Sequence, residues 1–153
     1  MKKAKKGKFN YRLEPVLKVR EIREKQQKEV FAEKERVLRE EIEKEQKLKT
    51  WEDELHGELR NSMVGKIKDF GSILRRRSHL VKVKEDVDEQ EEIRDQAEKV
   101  REEQREKLEE KMKERKVIEK DKENRKDDWK KLMNDEETKF LDDIATTRYN
   151  KPK

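Results

Sequence analysis

Apolar residues return along this chain at helical intervals, and charge fills the space between them. Leu13, Leu17, Phe31, Leu38, Ile42, Leu48, Leu55 and Leu59 are separated mostly by three, four or seven positions, with Val30 and Val37 widening the stripe. A second stripe runs from Val83 through Val87, Ile93, Ala97, Val100, Leu108, Met112, Ile118, Trp129, Leu132 or Met133, and Phe140 to Ile144. Both follow the repeat of an amphipathic helix. Polar residues at Gln27, Gln90, Gln104, Lys122, Arg125 and Glu136 interrupt the pattern, which predicts a leaky heptad seam of modest stability.

No proline lies between Pro15 and Pro152, and glycine appears in that interval only at Gly57, Gly65 and Gly71, which permits two very long helices. The first N–H groups of a helix lack intrahelical partners, so Pro15 is tolerated in a first turn and places the helix start near Leu13 or Glu14. Phe9, Tyr11 and Leu13 alternate along an extended lead-in and share one side.

Two stripes that can cover one another predict an all-α fold, an antiparallel coiled-coil hairpin over 9–149, with a basic flexible arm at 1–8 and a flexible tail at 150–153. The tip falls near 61–80. Asn61 to Gly65 has turn chemistry, whereas matching Phe9 against Tyr149 puts the midpoint at 79, inside Arg75 to His79. A short helix over Lys66 to Leu74 is expected there, after a first helix of roughly 47 residues, about 70 Å at 1.5 Å per residue. A single charged spacer helix is the competing architecture. Glu-to-Lys pairs at i,i+4, such as Glu21/Lys25, Glu40/Lys44 and Glu103/Lys107, contribute only about 0.2–0.5 kcal/mol each but together can sustain a lone helix.

Composition narrows the choice to rods and disordered chains: 54% of residues are charged and 29% hydrophobic, too few for a large core. Disorder is favoured by high net charge, and here 44 basic residues against 39 acidic ones leave only +5, all of it accounted for by Lys2, Lys3, Lys5, Lys6 and Lys8. Cysteine is absent, which excludes disulfides, cysteine nucleophiles and thiolate metal sites and fits a reducing cytosol. No apolar run is long enough to cross a bilayer.

Four of the eight aromatic residues, Phe9, Tyr11, Phe140 and Tyr149, lie within 14 positions of a terminus, where a helical rod would fray. They read either as a staple closing the open end, each buried Phe stabilising by about 1.5–3 kcal/mol, or as a contact surface. Met63, Ile67, Phe70, Ile73 and Leu74 form a shorter apolar stripe at the tip, a candidate partner site. Lys2 to Lys8 and Arg75 to Arg77 could meet nucleic acid or anionic lipid, but no recognised nucleic-acid fold accompanies them, so solvated charge or an acidic protein is the expectation. The acidic run Glu85 to Glu92 suits the start of a second helix. His56 and His79 have no set of metal ligands around them, and Trp51 and Trp129 read as packing residues. A two-helix layer has no room for an enclosed pocket, so no catalysis, cofactor or metal is expected.

Phe9-x-Tyr11-x-Leu13-x-x-Val16-Leu17-x-x-Arg20-Glu21 at one end and Leu141-Asp142-Asp143-Ile144-Ala145-x-x-Arg148-Tyr149 at the other resemble the flagellar export protein FliJ family. The resemblance covers nearly the full length in layout, with its specific residues at the ends. It implies a non-enzymatic component of the flagellar type III export apparatus, similar to the central stalk of rotary ATPases. Such a stalk binds the export ATPase hexamer, promotes its assembly and activity, and links it to a membrane export-gate protein and to export chaperones. It works in the cytoplasm, peripheral to the inner membrane beneath the flagellar basal body.

Carried onto this chain, the resemblance places ATPase contacts at Phe9, Tyr11, Leu13, Leu17, Arg20, Leu141, Ile144, Arg148 and Tyr149, with Phe140 added on physical grounds. Export-gate contacts would fall to the tip residues Met63, Ile67, Phe70, Ile73 and Leu74, where no family motif aligns. The lysine-rich extension before Phe9 is longer than the family pattern needs. A general export chaperone or scaffold that captures proteins along the rod is the alternative.

Overall fold

A computed structural model describes residues 7–152; most of the expected basic arm, residues 1–6, and Lys153 of the expected tail lie outside the described residues. Two helices account for 88% of what is described, α1 over Glu14–Ser62 and α2 over Phe70–Tyr149, joined by residues 63–69, with no strand among the described residues. They form the predicted helical hairpin.

Local chemistry sets the helix ends. The Tyr11 carbonyl accepts the Glu14 N–H at 3.1 Å in a turn that leads into α1, and Pro15 occupies the first turn, where its missing N–H costs nothing. Asp69 caps α2, its Oδ1 accepting the Ser72 N–H at 3.1 Å. Between the helices Gly65 takes φ = 86°, a left-handed conformation open to glycine at little cost. The turn is therefore 63–69, and the separate short helix expected over Lys66 to Leu74 does not form: Phe70 to Leu74 belong to α2 itself.

The described residues divide into two compact units, 7–25 with 110–152, and 26–109. Within the second, α1 and α2 pack antiparallel. Ile73, Leu80, Val83 and Val87 are buried, and Phe31, Leu38, Leu48, Leu55 and Leu59 of α1 are half-buried. From Gln90 onward polar residues join half-buried Ala97, Val100 and Leu108 along α2, and several find partners on α1. Gln90 Nε2 donates to Glu41 Oε2 at 2.6 Å and to the Glu41 carbonyl at 3.2 Å. Gln27 Nε2 donates to Gln104 Oε1 at 2.7 Å. Arg94 Nε stands 2.7 Å from Glu45 Oε2 as an ion pair without hydrogen-bond alignment, and Lys49 lies 2.8 Å from Glu91. Arg101 pairs with Glu35 at 3.2 Å and covers the Phe31 ring at 5.8 Å, within cation–π range. Hydrogen bonds from Lys44 and then Gln90 hold the Glu41 carboxyl below its ordinary value.

The leaks predicted in the seam are thus filled at Gln27, Gln90 and Gln104 by one another or by carboxylates. Apolar Ile93 is exposed, because the strict three-four spacing of Val87, Gln90, Arg94 and Ala97 passes it by.

Candidate functional site

The first unit holds both end segments. Its seam begins with aromatics and ends in ion pairs. Phe9 meets Trp129 with ring centroids 5.9 Å apart and planes tilted by 52°. Tyr11 is buried, its hydroxyl donating to Asp121 Oδ2 at 2.6 Å and reaching the Ile118 carbonyl at 3.3 Å. Burial first, then the hydrogen bond and the charge of Asp121, push the phenol up to about 12. Leu17 is buried and Leu13 half-buried. Arg20 donates to Glu114 at 2.9 Å, Lys122 meets Glu14 at 2.7 Å, and Arg115 bonds Glu24, a carboxylate only 3% exposed. That bond keeps the Arg115 guanidinium's pKa above its ordinary value.

This register overturns the expected match of Phe9 with Tyr149. Trp129 takes that place, because the turn lies at 63–69 rather than at 79 and α2, with 80 residues, is far longer than α1, with 49. The 20 residues of α2 beyond Trp129 run on for about 30 Å. Phe140, Leu141, Arg148 and Tyr149 are exposed there, Tyr149 at 90%, and Ile144 is half-buried. Thr138, Thr146 and Thr147 donate to carbonyls four residues back at 2.7–2.9 Å, satisfying their hydroxyls within the helix.

The ten end residues therefore fall into two groups that the structure does not bring together. Phe9, Tyr11 and Arg20 contact Trp129, Asp121 and Glu114 of α2, with Leu13 half-buried and Leu17 buried; Phe140, Leu141, Ile144, Arg148 and Tyr149 stand on the extension. Asp121, the anchor of Tyr11, escaped sequence reasoning, since one more carboxylate in so charged a chain carries no signal of its own.

In the second unit, Met63, Ile67, Phe70 and Leu74 of the predicted tip stripe are exposed, whereas Ile73 is buried in the seam. Val64, part of the turn, is the most exposed apolar residue of this group at 79%. An open groove of about 540 Å³ is lined by Leu59, Met63, Phe70, Ile73, Leu74 and Leu80 among others. Trp51 and His79 pack edge to face at 5.2 Å, so each tryptophan of the chain has its own partner. Among the described residues no group of acidic or histidine side chains could hold a metal ion, and no helix is long and apolar enough to cross a membrane.

Fold and surfaces together define a coiled-coil hairpin protein with apolar side chains exposed at its tip and along the end of α2. The family model "Flagellar FliJ protein" matches residues 9–153, nearly the whole chain, and the chain belongs to that family. No curated protein matches it. No solved structure matches it either. Membership makes the chain a component of flagellar type III protein export, in a family that is non-catalytic. The match begins at Phe9, the first residue after the lysine-rich extension.

Proposed function

We propose that this chain is the stalk of the flagellar export ATPase. It binds the ATPase hexamer through its terminal end, promotes assembly and activity of the ring, and reaches an export-gate protein and export chaperones, working in the cytoplasm at the inner membrane. The observation that carries the reading is the exposed helical extension of α2. Phe140, Leu141 and Tyr149 remain accessible on a helix held in place at its root by the Phe9–Trp129 contact. A narrow helix with exposed aromatic and aliphatic residues can enter a socket formed by several subunits and lose that exposed surface there, a favourable change of about 25 cal/mol per Å² of apolar area.

The aromatic groups then divide the labour. Phe9, Tyr11 and Leu17 make the base rigid, and the extension makes contact. The tip groove takes the gate protein through Met63, Phe70 and Leu74.

Export-ATPase activity measured across a titration of this protein tests the reading. Stimulation by the full chain is expected, with most of it lost in F140A/L141A/Y149A. No stimulation by folded protein at any ratio would remove the stalk role. If ATPase instead binds fragments of the middle of the rod and ignores the ends, the scaffold alternative takes its place.

A further inference from the structure

The electrical balance of the body conceals an uneven distribution. Residues 60–84 contain eight lysines and arginines against one acid, Asp69, a net +7, of which Arg76 and Lys82 are paired with Glu58 and Asp86 just outside the segment. Residues 9–153 sum to zero, so those outside 60–84 carry −7. This basic segment is also where the hairpin turns and where apolar side chains are least covered: Val64 is 79% exposed and Phe70 66%, with Ile67 half-exposed between Lys66 and Lys68. Arg75 reaches Asp69 only at 3.6 Å, both ends exposed. Among the described residues no carboxylate pairs with Lys66, Lys68 or Arg77.

We propose that this tip binds the surface of an anionic phospholipid bilayer. Val64 and Ile67 enter the headgroup boundary, while Lys66, Lys68, Arg75 and Arg77 meet the lipid phosphates. The inference goes beyond a gate protein at the tip, because it needs no protein partner. A turn whose apolar residues project outward between bases has the amphipathic character of interfacial anchors. An anionic leaflet rewards a local cluster of bases rather than the whole chain's net charge, since the attraction falls off within a Debye length, about 8 Å at physiological salt. Each base near such a surface raises partition roughly five-fold, so the four bases of the tip suffice although residues 9–153 sum to zero. A purely acidic surface could use the same charges, but would leave Val64 and Ile67 uncovered.

Flotation of the full-length chain with vesicles tests this. The chain should float with equal parts phosphatidylglycerol and phosphatidylcholine, stay behind with phosphatidylcholine alone, and be released by high salt. K66Q/K68Q/R77Q should weaken partition on the order of 100-fold with helicity by circular dichroism unchanged. An environment-sensitive dye on Val64→Cys should shift to the blue on the anionic vesicles, and the same dye on Ala145→Cys should not. No flotation with the anionic vesicles would overturn the proposal. So would flotation that survives the tip variant but is lost when Lys2 to Lys8 are neutralised. Binding of soluble polyglutamate as tight as that of vesicles, without a dye shift, would reassign the tip to an acidic protein.

Discussion

Phe9 and Trp129 are neighbours although 120 positions separate them, their rings 5.9 Å apart at 52°. This one contact ties the extended lead-in to α2 and decides which part of α2 continues beyond it. Truncating either ring should cost about 1–2 kcal/mol, from lost burial and the aromatic pairing. Thermal unfolding of Phe9→Ala and Trp129→Ala checks this, and the double variant should lose less than the two added together.

The same contact fixes a crosslinking pattern. With no native cysteine to interfere, F9C/W129C should be joined within one chain by a short bifunctional maleimide. F9C/Y149C should not, because position 149 lies about 30 Å further along the helix. Equal yields from the two pairs would contradict the register.

Glu24 and Arg115 supply a second test. Replacing a carboxylate only 3% exposed with a second guanidinium sets like charges together, even though Arg115 keeps its bond to Glu119, so Glu24→Arg should destabilise by about 2–4 kcal/mol. Adding Arg115→Glu should recover more than half, in a double-mutant cycle read by denaturant unfolding. Failure of the swap to recover stability would show that packing, not charge order, sets the pairing at this layer.

Tyr11 links the terminal end to alkaline pH. Its folded value of about 12 lies above the ordinary 10.0, so the stability it provides is complete below pH 10 and is lost as pH rises through about 12. Because the chain has only two tyrosines, Tyr149→Phe leaves Tyr11 alone to be followed by phenolate absorbance. Its midpoint should sit near 12 in the folded chain and return to about 10 in denaturant.

Much of this fold is legible in the amino-acid order. Apolar spacing, the near-absence of proline and glycine, and Pro15 at the entry to α1 all speak locally, and local signals survive in a single sequence. Pairing does not, since it depends on residues far apart. The terminal aromatics invited a symmetric match, and nothing local says that Phe9 prefers Trp129 over Tyr149. Seam polarity misleads in the same way: in a chain 54% charged, Arg94 and Arg115 look like any solvated base until Glu45 and Glu24 are placed beside them. Ile93 makes the converse error, an apolar residue that the three-four rhythm leaves outside.

The left-handed Gly65 has a consequence for stoichiometry. The seam of α1 and α2 would be met equally well by α2 of another copy if residues 63–69 straightened into a hinge, and the exchange would give a domain-swapped dimer. What favours closure within one chain is a loop able to reverse, and φ = 86° at Gly65 is the conformation that L-residues resist. No neighbouring atom crowds a β-carbon there, so Gly65→Ala acts through backbone strain alone, on the order of 1 kcal/mol. Light scattering after refolding at high concentration should show that substitution shifting molecules from monomer to dimer, with helicity conserved: one glycine governs how many chains make the coil.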